Sequence, residues 1–138
     1  MAKSTTKTKE RPYMQQDDRI QIFNKLKSIL SKYSPPLTAT SNFEGRYELV
    51  SKKSVEFMGR KKPEMYFGAA IIQGNYVGLY LMHVYLSAEY LKRIAPELGK
   101  TLKGKSCFHI KKLDENLIKQ IETAVKDGIE CYKKLNFI

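Results

Sequence analysis

Cysteine and histidine are scarce in this chain of 138 residues, with two of each. The scarcity excludes a disulfide framework. Cys107 and Cys131 stand far apart, neither sits in a CxxC pair, and no export signal accompanies them, so reduced thiols are expected. It also limits metal chemistry, because a stable zinc site takes about four ligands. Long apolar runs are missing too: none approaches the roughly 18 residues that cross a bilayer, which argues against membrane association. Residues 1–11 carry Lys3, Lys7, Lys9 and Arg11 without an apolar segment, so no secretory signal is read and a cytoplasmic location is expected. Acidic residues are outnumbered, 14 against 25 basic ones.

A net charge of +11 directs attention to polyanions, but the excess is spread: +3 over 1–11, +1 over 12–49, +3 over 50–66, zero over 67–99 and +4 over 100–138. Diffuse charge gives salt-labile, sequence-blind affinity, so specific nucleic-acid binding is not expected. The RNP1 pattern of RNA-binding sheets meets this chain only at Lys103-Gly104. Residues Gly99 to Ser106 do match GxxxxGK[ST], the phosphate-cradling loop. That loop works between a buried strand and a helix N-terminus. Here Leu86 to Leu98 upstream is helical in composition and Cys107 to Lys111 downstream alternates like a strand, so the match is read as coincidence.

Residues 1–12, polar and lysine-rich, read as a disordered tail, and 13–138 as one domain. From a cap at Asp17 or Asp18, the apolar positions Ile22, Phe23, Leu26, Ile29, Leu30 and Tyr33 predict an amphipathic helix, stopped by Pro35-Pro36. Period-two patterns then predict strands over Phe43–Leu49, Ser54–Phe57, Met65–Ile72, Tyr76–Met82 and Lys105–Lys111. Gly59 to Pro63 reads as a basic turn between the second and third strands. Gly74-Asn75 closes a hairpin between the third and fourth. A short helix over Ser87–Ile94, with Ser87 as its cap, precedes the fifth strand. Asp114 caps the last helix, with Leu113 and Ile118 as a hydrophobic staple. The order predicts an α+β two-layer sandwich: an antiparallel sheet of about five strands with the N- and C-terminal helices on one face.

The other face carries the candidate chemistry. On the fifth strand Phe108 and Ile110 point to the helices, while Lys105, Cys107, His109 and Lys111 point away. Tyr76, Gly78, Tyr80 and Met82 oppose Val77, Leu79 and Leu81 in the same manner. The candidate ligand-binding set is therefore Tyr76, Tyr80, Lys105, Cys107, His109 and Lys111, with Gly68 and Gly78 leaving room beside it. Cys107 and His109 share a face at roughly 7 Å by strand rise, close enough for a thiolate–imidazole pair, with His83 and Cys131 as the remaining soft donors. No third member of a catalytic triad, complete metal set or cofactor motif is visible, so no cofactor, metal or catalytic residue is assigned. Lysines beside tyrosines suit an anionic small ligand. An apolar sheet face also suits a homodimer or another protein partner.

Three stretches carry a family likeness: Lys62 to Phe67, Asn75 to Met82 and Leu102 to Leu113. On these the chain resembles the YdhG-like domain of unknown function, a family of small bacterial proteins. The resemblance implies a frataxin-like fold, with helices on one side of an antiparallel sheet. It also implies an alternative role, since some relatives are described as iron carriers. Iron, a hard cation, asks for several carboxylate oxygens, and here Asp17, Asp18, Glu44 and Glu48 are interspersed with Arg19 and Arg46. The last strand departs from the family's Gly-Thr-Ile-Arg-Phe-Pro type as well. The sequence thus predicts a non-enzymatic domain binding an anionic ligand or a protein partner on its open face, with iron or metal carriage as the alternative.

Overall fold

The computed structural model describes residues 16–138, so the expected tail at 1–12 lies outside the described residues. Helix α1 spans Gln16–Ser31 and already includes Asp17 and Asp18, so neither is its cap. Its buried stripe is the predicted one: Ile22, Phe23, Leu26, Ile29 and Leu30 are all buried. Spacings of three and four place these side chains on one helix face, which can be covered only by another layer.

The strands are β1 (Thr38–Phe43), β2 (Arg46–Ser51), β3 (Val55–Phe57), β4 (Arg60–Lys62), β5 (Met65–Gln73), β6 (Tyr76–Leu81), β7 (Leu102–Lys103) and β8 (Cys107–Ile110). Six of them form one sheet in the order β1-β2-β5-β6-β8-β7, with every adjacent pair antiparallel. The other two, β3 and β4, pair as a separate ribbon. The expected count of about five is therefore corrected to six plus a ribbon. The predicted strand over Phe43–Leu49 is a hairpin, turning at Gly45 with φ +92°. Arg60–Lys62, expected to be a turn, is strand β4. The fifth predicted strand is also trimmed, because a turn at Gly104 to Ser106 delays β8 until Cys107.

After β6 come α2 (Val84–Ile94), α3 (Pro96–Gly99) and, beyond β8, α4 (Glu115–Lys134). Ser87 does not open α2 as expected. It interrupts the helix with non-helical φ −146° and ψ 34°, while its hydroxyl donates to the His83 carbonyl at 3.1 Å. Asp114 does cap α4, its Oδ1 accepting from the Leu117 amide at 2.8 Å. Gly99 to Ser106 runs from α3 through β7 into a hairpin turn with Gly104 at φ +70°. No helix follows it, so a phosphate finds no helix N-terminus there.

Helices α1 and α4 cover one face of the sheet, giving the two-layer α+β sandwich. Phe23, Leu26 and Leu30 from α1, Leu79 and Leu81 from β6, Phe108 and Ile110 from β8, and Ile121 and Val125 from α4 belong to one buried cluster. Among the described residues no helix is long and apolar enough to cross a membrane.

One irregularity shapes both faces. Leu49 of β2 pairs with Gly68 and Val50 with Tyr66, so Phe67 is an extra residue in β5. A bulge of this kind shifts the inward–outward alternation by one position. Phe67 and Gly68 therefore both lie on the core side, and Tyr66, Ala69, Ile71 and Gln73 lie on the open side. Gly68 approaches β6 so closely that a Cβ there would stand 2.4 Å from the Tyr80 carbonyl oxygen. Gly68→Ala is accordingly expected to cost about 1–3 kcal/mol, read as a lowered urea midpoint. An unchanged midpoint would contradict the close approach.

Candidate functional site

The register brings four of the six candidate residues together on the open face. Tyr80 lies directly opposite Cys107, and Gly78 opposite His109. The Tyr76 and His109 rings stack with centroids 3.8 Å apart and planes 12° apart. The Tyr80 hydroxyl donates to Gln73 Oε1 at 3.0 Å and lies against the Cys107 thiol. Tyr66 joins this layer from β5, where burial and then the Glu48 carboxylate push its phenol well above the ordinary range. In this layer the Tyr80 hydroxyl is held by Gln73, and the rings remain half-buried.

The two lysines do not converge on it. Lys105 is exposed in the turn before β8, and Lys111 is exposed just beyond the strand. At a strand's rise of roughly 3.3 Å per residue the chain between them spans at most about 20 Å. They lie beyond the two ends of β8. Lys111 instead borders a cleft of about 330 Å³ with His109, Lys100, Lys112 and Asp114.

The space expected beside Gly68 and Gly78 is already filled. Gly68 meets the backbone of β6, and a Cβ at Gly78 would stand 2.5 Å from Gln73 Oε1 and 3.0 Å from Tyr80 Cε1. The thiol and imidazole are likewise engaged with different partners, Cys107 with Tyr80 and His109 with Tyr76. Burial raises the Cys107 thiol, with the Tyr80 hydrogen bond partly opposing. A thiol shifted upward carries less thiolate and is a poorer nucleophile. As for metals, among the described residues no group of three or more His, Cys, Asp or Glu side chains is placed to hold an ion. Glu48 is tied to Arg46 at 3.0 Å.

A second concavity lies at the other end of the molecule, where the sequence offered little signal. It measures about 340 Å³ and is walled by Met58, Met65, Met82, Tyr85, Leu86 and Phe137, with His83 and Tyr132 also in the lining. Met82, assigned by alternation to the open face, lies past the end of β6 and lines this cavity instead. Beside it the His83 side chain is wholly buried. Its ring lies nearly parallel to Phe67, 6.5 Å between centroids, and Nε2 stands 3.4 Å from Asp127 Oδ2. Gly128 makes this possible, since a Cβ there would stand 2.6 Å from His83 Nδ1. Tyr132 seals the floor by donating its hydroxyl to the Tyr66 carbonyl and meeting Phe67 and Phe137 edge to face, each at 5.2 Å.

The fold and this face define a two-layer α+β domain with one side of its sheet open. Comparison with protein-family models, curated protein sequences and solved structures finds no match to the chain.

Burial lowers the His83 pKa from 6.5, with Asp127 partly opposing. The unfolded chain therefore binds more protons than the native one as pH falls below 6.5. Stability present above that pH is lost as the pH falls toward the lowered native value. Urea midpoints at about pH 7.5 and about pH 5.5 should differ in that direction, and His83→Gln should shrink the difference. An equal difference in the variant would assign the pH response to another group.

Proposed function

We propose that this chain is a non-enzymatic cytoplasmic binding domain of YdhG-like kind that takes an anionic, extended segment of a partner protein across the open face of its sheet. The observation that carries this reading is the layer of Tyr66, Tyr76, Tyr80 and His109, flat and uncovered by any described helix, with lysines at both ends of β8. Tyrosine brings a large contact area at low entropic cost, which is why it concentrates at protein interfaces. Lysines beyond opposite ends of β8 match charges distributed along a chain better than a single phosphate.

Charge complementarity points the same way. A chain at +11 repels its own copy and attracts an acidic segment. The raised Cys107 thiol supports a binding role over a nucleophilic one. Family membership is part of the proposal and rests on the three resembling stretches, with which the order of helix, antiparallel sheet and helix agrees. Metal carriage draws no support from the side-chain positions, because the Glu48 carboxylate is engaged by arginine.

The test is fluorescence anisotropy with a labelled Asp/Glu-rich peptide in about 0.15 M salt. Tyr76→Ala and His109→Ala should each weaken binding about tenfold. Lys105→Ala and Lys111→Ala should each cost about two- to fivefold and flatten the salt dependence. Equal affinity for a neutral peptide, indifference to the face variants, or tighter binding of a single-stranded oligonucleotide at that salt would each reject the proposal.

A further inference from the structure

We infer that the methionine-lined cavity beside the β3–β4 ribbon is a binding site for a medium-chain acyl carboxylate, separate from the open sheet face. Size sets the class of ligand. An apolar cavity of about 150 Å³ holds a benzene molecule, so one of about 340 Å³ has room for a hydrocarbon of roughly twice that bulk. Saturated chains of about eight to ten carbons are of that order.

The walls fit such a chain. Met58, Met65 and Met82 are unbranched and re-pack easily around a flexible hydrocarbon. Tyr132 adds a ring but no anchor, because its hydroxyl is committed to the Tyr66 carbonyl. The His83 nitrogens face α4, with Nε2 toward Asp127 and Nδ1 against Gly128. The deep part of the site thus offers chiefly hydrocarbon contact.

The mouth differs from the floor. Met58, Tyr85 and Leu86 are 86%, 55% and 56% exposed, three of the six large apolar side chains exposed among the described residues. Apolar rims gathered at one place mark an interaction site. One cation stands beside this wall. Lys53 Nζ donates to Asn136 Oδ1 at 2.6 Å, beside the wall residue Phe137, whose carbonyl accepts from Ser51 Oγ at 2.6 Å. No carboxylate lines the cavity. Hydrocarbon below and positive charge at the rim select a ligand with an apolar tail and one anionic head.

The experiment is isothermal titration of the full chain with decanoate, below its micelle concentration, alongside decanol. Decanoate should bind saturably at one site per chain, about fivefold or more tighter than decanol. Reversing that cation, in Lys53→Glu, should remove that preference and leave decanol unchanged. Leu86→Trp, which crowds the mouth, should weaken both ligands about tenfold, and Met58→Glu, at the exposed ribbon tip, repeats the test should Leu86→Trp fail to fold. Tyr76→Ala should leave decanoate binding intact, which keeps this result distinct from that of the sheet face. No saturable binding, equal affinity for the two ligands, or decanoate affinity unmoved by charge reversal would overturn the inference.

Discussion

The extra residue in β5 is the constraint on which the rest of the structure depends. With Phe67 inserted against β2, the strand sends Phe67 and Gly68 to the core in succession. Phe67 then reaches His83 and Tyr132, while Tyr66, one position earlier, reaches the open face. Without the insertion, strict alternation could not satisfy both surfaces. The close approach of Gly68 to the Tyr80 carbonyl locks the arrangement, because any side chain would push the neighbouring strand away.

Two surfaces of opposite character follow. The open face is a broad layer ordered by the Tyr76–His109 stack and the Tyr80–Gln73 hydrogen bond, so binding there costs little side-chain entropy. The cavity is apolar and lined by methionines, with a floor built from the same aromatic cluster that fixes α4 to the sheet. His83 stands at the junction. Buried and held neutral by desolvation, it fills the space that Gly128 leaves on α4.

Legibility in the sequence varied with how local the signal was. Asp114 and the spacing after it specified α4 because a cap and an amphipathic stripe are written in adjacent residues. The open face was readable from period-two alternation in β6 and β8, which placed Tyr76, Tyr80, Cys107 and His109 together. Strand β1 was not readable: Thr38 to Phe43 is an edge strand with little apolar alternation, since its pairing comes from the backbone. Alternation continued in phase through the turn at Gly45, which hid a hairpin inside one apparent strand. Lys105 and Lys111 were misplaced for a related reason, because they extend the alternation beyond the residues that pair. The cavity was unreadable altogether. Its walls come from a ribbon tip, two strand ends, α2, α4 and the C-terminal residues, positions that only tertiary packing unites.

The two histidines provide the most direct test of the central claim that the open face is a working surface and the other face is packed. Diethyl pyrocarbonate modifies accessible imidazoles, and mass spectrometry can follow both sites in one experiment. The account predicts that His109 reacts in the free chain while the buried His83 stays unmodified, and that a saturating acidic peptide protects His109. Reaction of His83 at a rate like that of His109, or a His109 unaffected by bound peptide, would contradict it.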